Sequence, residues 1–320
     1  MLENWAVPQK PEREEIKLRL RTAKERLSKQ QMCLKEHGLP VLVLMEGWGA
    51  AGKGSLIGKI IKNIDPRFFK VATMENIGDQ EDRYPFLHRY FVQIPEAGKF
   101  TFLDSGWMNE ICMGRARKEL DSKEYAKKVE GVQRFERQLV DNGYLVMKFF
   151  CHISREEQKK RMDKLSEKKD TRWRVSEEDV WQNKHYKRCL KIFDNYLRDA
   201  DSPVFPWYLV DASCEKWAQL QILEALCRGI EIAMENRKRA VLIPQNVFSL
   251  KKMPQLSEVG LGKKVLSESD YRRQLKPLQD RLRALHNRLY RKQVPVVICY
   301  EGWDAAGKGG NIKRITEALD

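Results

Sequence analysis

Apolar and polar positions along the first 240 residues form two alternating kinds of segment. Short runs of consecutive apolar residues are typical of strands that are covered on both faces. These runs predict five strands, at 41–45, 69–73, 98–104, 144–152 and 206–211. Apolar residues at helical spacing predict helices over 11–37, 56–64, 84–91, 122–142, 177–200 and 215–238, with a polar loop at 75–84. Strands that alternate with helices predict an α/β domain with a doubly wound parallel sheet flanked by helices.

The first predicted strand continues into a glycine-rich turn. Gly47, Gly52 and Lys53 have the spacing of a phosphate-binding loop, and Gly54 and Ser55 open the next helix. Glycines let successive backbone N–H groups converge on phosphate oxygens, while the lysine and the helix N-terminus supply positive charge. The usual hydroxyl residue directly after the lysine is missing, since Ser55 comes one position late. We predict phosphate binding here; the alternative is a tight strand-to-helix turn that binds nothing.

The same strand, loop and helix pattern recurs at 296–310. Gly302 follows Gly47 by 255 residues, and Lys308 follows Lys53 by the same interval. The candidate phosphate-binding residues of this second loop are Gly302, Gly307, Lys308, Gly309 and Gly310. A repeat of this length predicts a tandem duplication. We expect a first domain at 1–240, a linker at 241–265 and the start of a second domain at 266–320, truncated at Asp320.

A strongly basic segment separates the fourth and fifth predicted strands. Nine lysines and arginines lie between 154 and 174. A basic helical insertion at this place is typical of a lid that closes over phosphates, and a solvated helix face is the alternative. The candidate lid residues are Arg161, Arg172 and Arg174.

Charge and cysteine content narrow the possible partners and the compartment. The formal net charge of +15 favours an anionic partner, which could be nucleic acid, an acidic membrane surface or polyphosphate. No nucleic-acid-binding motif is present, so we expect no nucleic-acid partner. Seven scattered cysteines and the lack of a leader or a membrane-length apolar run favour a cytoplasmic protein without a membrane partner. The oligomeric state stays open, and a homo-oligomer is possible.

The second loop carries a more specific pattern. The phrase Glu-Gly-Trp-Asp-Ala-Ala-Gly-Lys-Gly-Gly at 301–310 resembles the type 2 polyphosphate kinase family, and more narrowly its two-domain polyphosphate:AMP phosphotransferases. The first copy resembles the family along nearly its whole length. The resemblance implies a P-loop kinase-like fold and phosphoryl transfer from inorganic polyphosphate to a nucleotide, AMP to ADP, with Mg²⁺.

The resemblance also implies roles for individual residues. Asp304 and Lys308 would be catalytic, Asp304 and Asp104 would be metal carboxylates, and Arg115 would contact phosphate. The first copy departs from the family pattern, because Gly49 stands where the second copy has Asp304.

A second departure follows the third strand, where Ser105 stands at the position of a family arginine. Losing a carboxylate and an arginine weakens the stabilisation of transferring phosphate. We therefore expect the first domain to be non-catalytic.

Two other functions remain open from the sequence. The chain could be a non-catalytic polyphosphate-binding or scaffold module, which Gly49 favours. It could also be an ATP-dependent nucleoside monophosphate kinase, although the pair Gly309-Gly310 is typical of polyphosphate kinases.

Overall fold

A computed structural model of the protein describes residues 2, 5–74, 84–239, 256–258 and 266–319. The chain divides into two compact units, Met1–Pro244 and Gln245–Asp320. Most of the predicted linker at 241–265 and nearly all of the predicted polar loop at 75–84 lie outside the described residues.

The first unit contains a five-stranded parallel sheet, which confirms the predicted doubly wound α/β fold. Its strands are β1 Val41–Gly47, β2 Phe69–Thr73, β3 Phe100–Asp104, β4 Leu145–His152 and β5 Trp207–Asp211. The strand order across the sheet is β2-β3-β1-β4-β5. Every strand begins and ends within two residues of its predicted range, because consecutive apolar residues mark strands that are buried on both faces.

The central strand β1 positions the first loop. It pairs with β3 on one side, where Met45 aligns with Asp104, and with β4 on the other, where Gly47 aligns with Cys151. All residues of β1 are buried. Because the strands are parallel, their carboxyl ends share one edge of the sheet, where ligands of such folds bind. The loop after β1 lies at the middle of that edge.

Nine described helices surround the sheet. They are α1 Arg13–His37, α2 Lys53–Ile61, α3 His88–Phe91, α4 Trp107–Arg117, α5 Ser122–Asp141, α6 Arg155–Ser166, α7 Glu177–Lys184, α8 Tyr186–Asp199 and α9 Glu215–Arg239. Helices α1 and α9 lie side by side and are joined by an ion pair between Arg19 and Glu224, 2.8 Å apart. Among the helices that the structure describes, none is both long enough and apolar enough to cross a bilayer.

Three helical predictions differ from the structure. The single helix predicted over 177–200 is two helices, because the backbone leaves helical geometry at His185. Tyr186, the first residue of α8, stacks on Trp48 with ring centroids 3.8 Å apart. The helix predicted over 84–91 is only one turn long, and α4 was not predicted at all.

The second unit contains two described helices, α10 Glu268–Arg291 and α11 Lys308–Thr316. The strand expected at 296–300 does not form, so that prediction is wrong. A strand needs a neighbouring strand to accept its backbone hydrogen bonds, and the described part of this unit provides none. The apolar side chains of Val296 and Val297 are accordingly exposed, at 58% and 87%.

Candidate functional site

The first loop, residues 47–53, makes a tight turn between β1 and α2. Ala50 and Gly52 have φ angles of 56° and 90°, in the left-handed region. Gly47 has a φ of 129°, and a Cβ there would lie 2.2 Å from the carbonyl oxygen of Cys151. Only glycine fits at that position, because the turn passes directly against β4. The structure thus places the predicted phosphate-binding turn at the carboxyl edge of the sheet.

The residues after the glycines contact their own loop and α9. The Lys53 ammonium donates to the carbonyl oxygen of Trp48 at 3.3 Å, so the side chain folds back over the loop. Ser55 donates its hydroxyl to Glu215 at 2.6 Å, at the start of α9. Gly54 lies close to the end of β3, and a Cβ at Gly54 would be 2.8 Å from Asp104 Oδ2. Ser55 therefore has a protein partner for its hydroxyl proton, and Gly54 leaves room for the Asp104 carboxylate.

Asp104, at the end of β3, is the candidate metal ligand of the first unit. Burial raises the pKa of its carboxyl group, while the positive charge of Lys53 opposes this rise. Mg²⁺ in phosphate-transfer sites binds one or two carboxylates together with substrate phosphates and water. A largely buried carboxylate beside the loop lysine fits this role. No group of three or more His, Cys, Asp or Glu side chains within the described ranges could hold a metal ion.

Glu46 is a buried acid whose role we did not predict. Its Oε1 accepts the backbone N–H groups of Gly106 at 3.0 Å, Met108 at 3.0 Å and Asn109 at 3.3 Å, and so caps the N-terminus of α4. Burial raises the pKa of Glu46 to about 7, against the charge of Lys53 and the three N–H groups. The sequence does contain a signal for a buried acid here, because Glu46 is the single acidic residue at the end of an otherwise apolar strand.

Gly49, which lacks the loop carboxylate, is enclosed by residues of the segment 154–184. Its N–H donates to Gln182 Oε1 at 2.7 Å, and its carbonyl accepts from Gln158 at 3.2 Å. A Cβ at Gly49 would lie only 1.9 Å from Asp179 Oδ1. No side chain fits there unless Asp179 moves.

Asp179 was also missed from the sequence. It belongs to a capping box with Ser176 at the start of α7, in which each residue bonds the other's backbone N–H. The spacing Ser-x-x-Asp marks this helix start in the sequence. It gives no indication that the aspartate contacts Gly49, because the two residues lie far apart along the chain.

Arg161 is the one predicted lid residue that reaches the first loop in the described structure. It projects from α6, and its guanidinium donates to main-chain carbonyls after two strands. The closest of these carbonyls belong to Ala51 at 3.1 Å, Ala212 at 2.6 Å and Ser213 at 3.0 Å. Arg161 therefore connects the loop after β1 with the loop after β5.

Arg172 and Arg174 lie in a short 3₁₀ turn and are exposed. Arg174 packs over the ring of Trp173 at 5.4 Å. Their predicted role in the lid stays a prediction.

Arg115, for which the resemblance implies a phosphate contact, lies in the last turn of α4, and that role stays a prediction. Its guanidinium donates to the carbonyl of Leu120 at 2.9 Å and to the hydroxyl of Ser122 at 2.7 Å, between α4 and α5. Among the contacts of the described residues, none joins Arg115 to the first loop. Ser105, at the position of the family arginine, has a φ of 61°. Left-handed backbone is uncommon for any residue other than glycine, and Ser105 adopts it directly after β3.

The second loop, residues 302–308, has a backbone like that of the first. Ala305 and Gly307 have φ angles of 58° and 79°. The Lys308 ammonium donates to the carbonyls of Gly302 at 2.9 Å and Trp303 at 2.7 Å. Asp304 is exposed and accepts the N–H of the next residue at 3.0 Å. The structure thus brings Asp304 and Lys308 together in one loop, with Gly309 and Gly310 in the first turn of α11.

A cavity of about 460 Å³ adjoins the first loop. Gly52 and Leu56 form one wall, and the lid segment supplies Arg161, Lys164 and Lys168 to the other. A basic cavity against a glycine-rich turn is suited to a ligand that carries several phosphates. We call this space the loop cavity.

Comparisons of the sequence and of the structure with known proteins both identify one family. The family model for Polyphosphate kinase 2 (PPK2) matches residues 10–238 and 265–320. A polyphosphate:AMP phosphotransferase of Pseudomonas aeruginosa is 30% identical over 301 residues, which cover 93% of this chain and 60% of that protein. One from Pseudomonas syringae pv. tomato is 28% identical over 305 residues, covering 94% of this chain and 61% of that protein. The chain thus spans about three fifths of the length of these relatives.

A solved structure is similar to this protein along the whole chain. The crystal structure of a Pseudomonas aeruginosa PA01 protein described as a polyphosphate kinase 2 superposes with a TM-score of 0.80 at 27% identity. The superposition covers 100% of this chain and 63% of that one. With a parallel α/β sheet, a glycine-rich loop at its carboxyl edge and a family match over both units, the chain belongs to the polyphosphate kinase 2 family.

Proposed function

We propose that the protein transfers a phosphoryl group from inorganic polyphosphate to a nucleotide, with AMP as acceptor and ADP as product. The observation that carries this proposal is the pair of similar glycine-rich turns in a member of the polyphosphate kinase 2 family. The two Pseudomonas relatives named polyphosphate:AMP phosphotransferase support AMP as the acceptor. The net charge of +15 is also suited to a polymeric anion as donor.

The second loop would bind the reacting phosphates. Phosphoryl transfer depends mainly on positioning and on neutralising charge. Lys308 is the first residue of α11, so its ammonium and the N-terminal N–H groups of that helix would act on the same anion. To do so the ammonium would exchange its two loop carbonyls for phosphate oxygens. Mg²⁺, when bound, would neutralise phosphate charge, with Asp304 as its ligand in the second loop and Asp104, at the end of β3, in the first unit.

The first unit would bind polyphosphate without turnover. Gly49 has no carboxylate, and Asp179 occupies the space where a side chain would begin. The Ser55 hydroxyl donates to Glu215, and Arg161 donates to main-chain carbonyls. These contacts favour a binding or scaffold role for this unit.

An ATP-dependent nucleoside monophosphate kinase is the other candidate, and the choice of donor distinguishes it. ADP formation from AMP should therefore be followed with polyphosphate and with ATP, each with Mg²⁺. The measurement is made on the 320-residue chain and on a version extended to the length of the two Pseudomonas relatives. We expect ADP with polyphosphate as donor; formation with ATP alone would favour the alternative.

Paired substitutions test which loop reacts. In the extended version, Asp304→Asn and Lys308→Met should each lower the rate at least about 100-fold, because the negative charge of the transition state loses its partners. The matched changes Asp104→Asn and Lys53→Met in the first unit should leave the rate near that of the unaltered protein. If residues 1–240 alone convert AMP to ADP with polyphosphate, the first unit is catalytic and this part of the proposal is wrong.

A further inference from the structure

A second basic depression lies in the first unit, outside the loop cavity. It is bounded by α1, α2 and the beginning of α9 and has a volume of about 580 Å³. We call it the outer groove. Six cationic side chains line it, against the single carboxylate of Glu25. The six are Lys17, Arg21, Lys24, Lys59, Lys62 and Lys216.

Some of these cationic side chains form ion pairs with carboxylates of the protein, and others do not. Lys17 pairs with Glu14 at 3.6 Å, Arg21 with Glu25 at 3.1 Å, and Lys59 with Glu215. Lys24, Lys62 and Lys216 form no ion pair with a carboxylate in the described parts of the chain. Like charges that face one depression repel each other, and a bound anion removes that cost. The outer groove is therefore prepared for an anionic ligand.

The outer groove and the loop cavity meet along α2 and α9. On α2, Leu56 lines the loop cavity, and Lys59, one turn later, lines the groove. On α9, Glu215 lines the cavity, and the next residue, Lys216, lines the groove. The Lys59–Glu215 ion pair marks the boundary between the two spaces.

Cationic side chains thus continue from the lid, past the loop, to the far end of α2. The nine residues of α2 alone extend over about 14 Å. A compact phosphate group in the loop cavity cannot also contact the C-terminal end of this helix. A linear polyanion can.

The geometry points to a docking site for a polyphosphate chain that extends over both spaces. One segment of the chain lies in the loop cavity, and the phosphates farther along the same chain lie in the outer groove. This inference rests on the proposed function, which makes polyphosphate the donor. The groove wall contains no aromatic side chain among its described residues, and single-stranded nucleic acids bind mainly where aromatic rings stack on bases. A chain of repeating phosphates needs only the charges.

The test measures binding of long-chain polyphosphate and of tripolyphosphate to the 320-residue chain. The variant Lys24→Gln/Lys62→Gln/Lys216→Gln removes the three unpaired cations of the groove. The control Lys123→Gln/Lys127→Gln/Lys187→Gln removes three exposed charges from α5 and α8. We expect the groove variant to raise the dissociation constant for the long chain about tenfold and to lower its salt dependence, because fewer counterions are released. Tripolyphosphate binding should not change, and the control should resemble the unaltered chain.

Each other outcome overturns the inference. Equal losses for both ligands would make the groove part of the loop site, and equal losses in the control would make the effect one of net charge. Unchanged long-chain binding in the groove variant would remove the groove as a site. If single-stranded RNA binds the unaltered chain more tightly than polyphosphate and loses affinity in the groove variant, the ligand is nucleic acid.

Thermal unfolding of each variant confirms that it is folded. The AMP assay with the unaltered protein separately tests the proposed function. Failure of that assay, with long-chain binding still dependent on the groove, would count against phosphoryl transfer and not against docking.

Discussion

The two glycine-rich loops have nearly the same backbone and very different surroundings. Ala50 and Ala305 differ in φ by only a few degrees, at 56° and 58°, and each loop lysine donates to the carbonyl of the loop tryptophan. Yet Trp48 is fully buried, whereas Trp303 is 85% exposed. The loop conformation is therefore encoded locally, by glycines and by the lysine that folds back. The contacts of the side chains depend on the rest of the sheet and on the lid.

The same comparison shows how the surroundings of Gly49 differ from those of Asp304, the acid at the matching position of the second loop. Asp304 is exposed and bonds only its own loop backbone within the described contacts. Gly49 is enclosed by Gln158, Asp179 and Gln182. The first loop has exchanged an outward-facing carboxylate for close packing against α6 and α7.

The largest difference should appear when the tryptophans are truncated. Trp48→Ala removes a ring that stacks on Tyr186 at 3.8 Å and meets Phe193 edge-on at 5.0 Å. The resulting cavity should lower the free energy of unfolding by about 3–5 kcal/mol. Trp303→Ala, at an exposed site, should change it by less than about 0.5 kcal/mol. Denaturant titrations of both variants measure this, and similar losses would refute the difference in burial.

The next effect concerns the acids that precede the two loops. The pKa of Glu46 is raised from 4.5 to about 7, so between these pH values the folded protein keeps a proton that the unfolded chain releases. The stabilisation from this group is complete below pH 4.5 and falls as pH rises to about 7, by about 3 kcal/mol in all.

Glu46→Gln should remove this component, because the amide oxygen still accepts the N–H groups of α4 but does not titrate. Glu301→Gln, at the matching exposed position, should leave the pH dependence of the unaltered chain. Unfolding free energies measured from pH 4.5 to 7 decide the matter. Parallel curves for the unaltered chain and Glu46→Gln would contradict the raised pKa.

The smallest effect is expected at Gly49 itself. Gly49→Ala places a methyl group 1.9 Å from Asp179 Oδ1, and the shift this forces should cost about 1–3 kcal/mol. Gly58→Ala is the control, because a Cβ there meets no atom within 4 Å in the middle of α2. It should be neutral or stabilising by up to about 1 kcal/mol, since alanine is the better helix former.

A double-mutant cycle tests whether Asp179 causes this cost. Asp179→Ala alone removes the N3 carboxylate of the capping box, and loss of a negative charge in the first turn of a helix costs about 0.3–1 kcal/mol. In the Gly49→Ala background it should recover part of the loss, giving a coupling energy that additive effects would not produce. Strict additivity would show that the methyl group at residue 49 is accommodated by some other movement.

Much of the fold and of the loops could be predicted because their signals are local. The strands of the first unit are apolar runs, and the turns carry glycines at fixed spacing. Helix α4 was missed because apolar and small residues occur around most of its circumference, so no amphipathic stripe marks it. The break at His185 has no glycine or proline to mark it, and the residue that follows it packs on Trp48, which is distant in the chain.

The remaining site contacts join residues that are distant in the chain. Ser55 meets Glu215, Arg161 meets Ala212, and Gly49 meets Asp179 only after the sheet has assembled. The strand expected at 296–300 also shows this dependence on distant residues, because its local pattern is present but the described residues provide no partner strand. Its apolar pattern matches that of β1, but a strand forms only where a neighbour can share its hydrogen bonds.

Arg161 has a further consequence, which concerns tolerance to substitution. All its acceptors after β1 and β5 are main-chain oxygens, including those of Ala51 and Ser213. A carbonyl remains in place whatever side chain its residue carries. The positions that Arg161 holds can therefore change identity without loss of a hydrogen bond, whereas the arginine itself has no substitute that donates in the same fork. As far as these hydrogen bonds decide it, variation should be permitted at the residues that supply the carbonyls and restricted at the single side chain that joins them.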